Sequence, residues 1–111
     1  MAITVKTSNA KALLAAIKKD IDDGHIDTWK YDSAGDFFHD VAQWRDLAWL
    51  RPDASSKDLV LGIVGQKDVD MTKAVYGVYH GRFVEMLLTP FDNSFSIADA
   101  SAASVPGVDF I

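Results

Sequence analysis

Sixteen residues of this 111-residue chain are acidic, and a single one of them, Glu85, is a glutamate. It stands in the most apolar segment of the chain, Phe83-Val84-Glu85-Met86-Leu87-Leu88. A carboxylate in such a setting faces water, meets a partner, or has a chemical task. Under the last reading, Phe83 and Leu87 would desolvate it and suit it to accept a proton or hold an amine. A helper is at hand if the chain doubles back at His80-Gly81: a two-residue turn sets Tyr76 opposite Glu85. A three-residue loop would set Val75 there instead, and the residues do not choose between the two. The plainer reading makes Glu85 an outward residue on a sheet face left open to water, as antiparallel sheets often have.

Other chemistry has less support. His25, His39 and His80 have spacings that match no metal-ligand motif, and the chain has no cysteine, so thiolate sites and disulfides are excluded. His25 and His80 are expected to be exposed, the first after a helix-ending glycine and the second in a turn. In a strand, His39 would point away from Asp36. The acidic run from Asp32 to Asp36 lacks the twelve-residue frame and closing glutamate of a calcium loop. No Gly-x-Ser-x-Gly occurs, and Gly62-Ile63-Val64-Gly65 lacks the spacing and lysine of a phosphate loop. No cofactor is implied.

The aromatic residues carry a different signal. Trp29, Tyr31, Phe37, Phe38, Trp44 and Trp49 crowd one stretch, with Arg45 and Arg51 interleaved. Trp, Tyr and Arg anchor interfaces when exposed, and the aromatics fill a small core when buried. Most are expected in the core, with one or two left as surface anchors. Trp49 and Arg51, two apart in a strand, share a face and form the preferred exposed pair; Trp29 and Tyr31 complete the candidate partner-binding set.

These residues need elements to hold them. The spacing of Leu13, Ile17 and Ile21, with Ala10 and Leu14 alongside, predicts a helix over 9–22, capped by Ser8 and ended by Gly24. Its one apolar stripe calls for a flat packing partner. Asp27 to Tyr31 and Asp36 to His39 read as short strands about a turn at 32–35, and 41–47 as a loop or single helical turn. Ala48 to Arg51 is expected to be extended ahead of Pro52. Leu59 to Val64 is a continuous apolar run that reads as a central strand buried on both faces. Ala74 to Tyr79 and Arg82 to Leu88 form the expected long hairpin, stopped by Pro90. Residues 95–104 read as a short strand or helix, and the tail from Val105 as irregular.

The length indicates one domain, residues 1–111, able to bury roughly 65% of its unfolded surface. Short connections between strands favour an α+β two-layer sandwich: a mostly antiparallel meander with the N-terminal amphipathic helix on one face. At 49% hydrophobic and 24% charged residues, the composition is that of a globular protein. A net charge of −5 disfavours nucleic-acid partners, and the aspartates are too dispersed for nucleic-acid mimicry. No run approaches the ~18 apolar residues of a membrane span, and Met1 to Lys6 is too short an apolar run for a signal peptide. The expectation is a cytoplasmic, non-catalytic binding protein that engages a protein partner or a second copy of itself through an aromatic-rich sheet face or edge. The alternative is a small enzyme or small-molecule binder with a pocket centred on Glu85 and Tyr76.

Overall fold

A computed structural model describes residues 2–102 and 108–109. Strand β1 (Ala2–Lys6) leads into helix α1 (Ala10–Asp22), then β2 (Trp29–Tyr31), β3 (Phe37–His39), β4 (Ala48–Asp53) and β5 (Leu59–Gly65), followed by helix α2 (Lys73–Leu88) and β6 (Ile97–Ala100). The six strands form one sheet in the order β2-β3-β4-β5-β1-β6, and every neighbouring pair is antiparallel. The meander β2 to β5 is therefore extended by β1, which returns from the start of the chain to lie beside β5. The architecture is α+β, a single antiparallel sheet with α1 packed against β5 and β2.

Helix α1 forms where the apolar spacing predicts it. Ala10, Leu13, Ile17 and Ile21 are its buried residues, and Gly24 takes the left-handed conformation after it (φ 78°). The cap is Asn9 rather than Ser8: the Asn9 side chain accepts the Ala12 N–H at 3.1 Å. The β2–β3 hairpin pairs Trp29 with His39 across the 32–35 turn, and β5 lies in the interior of the sheet with Leu59, Leu61 and Ile63 fully buried. Residues 41–47 are turns. Pro52 is tolerated in β4 because the register Phe37↔Leu50 runs out before it: beyond β3, Pro52 has no partner strand on that side. The predicted irregular tail lies outside the described residues at 105–107 and 110–111.

Two expectations are corrected. Residues 2–6, assigned no element from the sequence, form β1. Residues 74–88 form no hairpin: they run as one helix, α2, straight through His80-Gly81. Thr72 caps it, accepting the Val75 N–H at 3.1 Å. Val75, Tyr79, Phe83 and Leu87, four residues apart, are buried against the sheet. The valines, aromatics and two glycines that suggest strands do not favour helix intrinsically, and burial of this stripe overrides them.

The core joins both helices to one face of the sheet. Trp29 is completely buried; its ring stacks on His39 at 4.7 Å and meets Tyr79 and Phe83 edge-on at 5.6 and 5.1 Å. Phe37 closes on Phe83 at 5.4 Å. The Tyr79 hydroxyl donates to the Trp44 carbonyl at 2.8 Å and accepts the His39 backbone N–H at 3.3 Å, so it ties α2 to both β3 and the 41–47 turn.

Two stability outcomes follow. Tyr79→Phe leaves both backbone groups short of a partner and is expected to cost about 1–3 kcal/mol in urea unfolding. Gly77 and Gly81 lie exposed on α2 with open space where a side chain would begin. Gly77→Ala and Gly81→Ala should each stabilise by about 0.5–1 kcal/mol, which a hairpin turn at residue 81 would not allow.

Candidate functional site

Because both helices cover the same side, the register decides what the other side displays. Lys30 lies opposite Phe38, Phe38 beside Trp49 by the Phe37↔Leu50 register, and Trp49 opposite Val64. These four residues form one row across β2, β3, β4 and β5 on the face away from the helices, and Phe38, Trp49 and Val64 are each half-buried. The next row brings Asp36, Arg51, Gly62 and Ala2 together. There Arg51 donates from Nε and Nη2 to the two Asp36 carboxylate oxygens at 3.2 and 3.0 Å. Asp36 is 6% exposed, so the fork holds a nearly buried carboxylate in register. Trp49 and Arg51 thus share a face as their spacing predicts.

Residues 108–109 cross this face. The Asp109 carboxylate accepts the Ile63 N–H at 2.9 Å, and the Val108 carbonyl oxygen would stand 1.7 Å from a Cβ at position 62. Glycine at 62 is what permits that approach. Beside the crossing, Arg51, Asp53, Val60, Gly62 and Val108 line a hollow of about 320 Å³.

Trp29 and Tyr31 belong to the other face. Trp29 is corrected from surface anchor to core residue: with no exposed area it can touch no partner. Tyr31 is half-buried on the helix-covered side. Its hydroxyl donates to the Asp22 carboxylate at 2.7 Å, which raises its pKa, and Lys18 sits 5.2 Å over its ring. It pins β2 to α1.

The proposed Glu85–Tyr76 pair is not formed. Nine residues apart on one helix, the two point to opposite sides. Tyr76 packs its ring on His80 at 4.9 Å, and its hydroxyl is buried without a hydrogen-bond partner. His80, expected to be exposed in a turn, is 2% exposed inside α2, with its Nδ1 2.7 Å from the Tyr76 carbonyl. His25 is exposed, as expected, 3.7 Å from an Asp20 oxygen.

Glu85 instead stands on the exposed rim of a cleft of about 460 Å³ between the C-terminal half of α2 and the β2–β3 end of the sheet. Trp29, His39, Arg82 and Asp27 also line it. His39 is 3% exposed. Its Nδ1 is 2.9 Å from the Thr28 carbonyl, which can only accept, so Nδ1 carries the proton and Nε2 a bare lone pair. That Nε2 and the Trp29 Nε1–H are both buried without partners. Among the described residues, no group of three or more His, Asp or Glu side chains could hold a metal ion. Phe38, His39 and Arg82 did not emerge as site residues from the sequence. For the first two a signal existed: pairing strands about the 32–35 turn sets Phe38 with Lys30 and His39 with Trp29.

No protein-family model, curated protein or solved structure matches the chain. No helix among the described residues is long and apolar enough to cross a membrane.

Burial pushes the His39 pKa below the ordinary value of 6.5; the Thr28 carbonyl opposes this, the Arg82 charge adds to it, and Glu85 and Asp40 oppose it. The unfolded chain therefore binds the proton more readily than the native one. Stability from this group is complete above about pH 6.5 and declines as pH falls from there through the lower native value. Urea midpoints measured from about pH 8 to about pH 5 should fall on acidification, and His39→Phe should flatten that slope.

Proposed function

We propose that the protein is a small cytoplasmic, non-catalytic binding protein that engages a protein partner or a second copy of itself through the face of its sheet opposite the two helices. The observation that carries this reading is the Lys30–Phe38–Trp49–Val64 row, two aromatics and a valine side by side where no helix covers them. Tryptophan is among the residues that most often dominate binding energy, and a neighbouring arginine held in place by a carboxylate loses little freedom on association. The Arg51–Asp36 fork supplies that fixed polar edge. The hollow beside Gly62 adds concavity next to the aromatic row. The absence of cysteine suits a reducing compartment, and the acidic balance speaks against a nucleic-acid partner.

Trp49→Ser and Phe38→Ser remove the anchors without touching the helix-covered core. Sedimentation equilibrium of the purified chain, with affinity capture of a defined partner where one is found, reads the effect. Each substitution is expected to weaken assembly about tenfold or more. A parent chain that sediments as a monomer and retains no protein, or variants that assemble as tightly as the parent, would overturn the reading.

A further inference from the structure

The sheet face of the proposed function already carries an occupant, and that occupant belongs to this chain. Val108 and Asp109 return to the sheet after β6 and lie over the middle of β5. Two contacts place them there. The Asp109 carboxylate accepts the Ile63 N–H at 2.9 Å, from 46 residues away in sequence. The Val108 carbonyl rests on Gly62 so closely that a Cβ at that position would stand 1.7 Å from its oxygen and 2.6 Å from its carbon. Gly62 is in register with Arg51, one row from Trp49 and Val64 on the same face.

This seat reads backbone and one carboxylate. A glycine admits a crossing main chain, a β5 amide takes the acid, and the Arg51 guanidinium, fixed by Asp36, lies in the same row. Neither contact uses the valine side chain, and a hollow of about 320 Å³ remains open beside it, with Pro52, Ala54 and Val60 in its wall and Asp53 at its edge. A segment joined to its seat by a short stretch of chain competes at an effective concentration on the order of millimolar. A separate partner prevails by adding contacts, and the Phe38–Trp49–Val64 row beside the seat offers them. Resting on the sheet-face reading, we infer that the 108–109 crossing is an autoinhibitory strap, which holds the seat at Gly62 and Ile63 until an extended, aspartate-bearing peptide segment of the partner displaces it.

The test follows the Ile63 amide by NMR in the full chain. The probe is a pentapeptide with the sequence of residues 107–111, blocked at both ends; a second carries asparagine in place of its aspartate. Asp109→Ala removes the strap's hydrogen bond and leaves the seat intact. In that variant the aspartate peptide should shift the Ile63 amide and saturate at a concentration about fivefold or more below that needed in the parent. The asparagine peptide should bind the same variant about fivefold or more weakly, because a charged acceptor makes the stronger bond. Gly62→Ala fills the seat and should abolish saturation, although alanine suits a strand interior better than glycine. The two peptides on Asp109→Ala decide the matter by themselves if Gly62→Ala does not fold. No Ile63 shift in Asp109→Ala, equal saturation in that variant and the parent, equal affinity for the two peptides, or full binding to a folded Gly62→Ala chain would overturn the inference. The peptide titrations do not depend on assembly, and sedimentation of Trp49→Ser does not depend on the peptide, so a failure here is distinct from a failure of the sheet-face reading.

Discussion

The burial of Trp29 is the constraint on which the rest of the molecule depends. Strands β2 and β3 are three residues each, too short for their ladder alone to hold them at the edge of a sheet. What holds them is the Trp29 ring, enclosed by His39, Tyr79 and Phe83, so that the edge hairpin and α2 stabilise each other. The Tyr79 hydroxyl adds direction to an otherwise non-directional contact, because its two backbone partners set how far along the sheet α2 sits.

From that placement the two candidate surfaces follow. Seating α2 beside α1 on one side of the sheet leaves the opposite side to Phe38, Trp49 and Val64, with the chain at 108–109 crossing over Gly62. Docking α2 against Trp29 and His39 also turns its Arg82 and Glu85 toward the edge of the hairpin, which creates the cleft. The same packing leaves ring nitrogens of Trp29 and His39 without partners, where it fills space well but satisfies polar groups poorly.

Parts of this arrangement were legible in the residues. The four-residue repeat of Leu13, Ile17 and Ile21 specifies α1 because one stripe must be buried, and Gly24 marks its end because only glycine takes that conformation freely. Leu59 to Val64 reads as a central strand because it is a short continuous apolar run, and it is one, but burial on both faces is not met: Leu59, Leu61 and Ile63 are buried under the helices, while Val60 and Val64 on the other face are half-buried. Trp49 and Arg51 share a face because the strand period is two. Residues 74–88 read as strands from local preference because valine, tyrosine and glycine favour strands and turns, while the competing repeat Val75, Tyr79, Phe83, Leu87 acquires its weight from the surface it meets. With that hairpin went the Glu85–Tyr76 pair and the exposed His80.

By itself, then, the sequence determined an α+β domain with one amphipathic N-terminal helix, an antiparallel meander and an aromatic-rich middle, since these rest on local periodicity and turn chemistry. Only the tertiary structure decided that β1 joins the sheet between β5 and β6, that α2 is a helix, that Trp29 is interior while Trp49 is not, and that Glu85 lines a cleft with His39 and does not pair with Tyr76. Those outcomes depend on contacts between residues distant in the chain. Short segments with mixed propensities adopt whichever conformation buries the larger apolar area, and that area is defined only once the partners are in place.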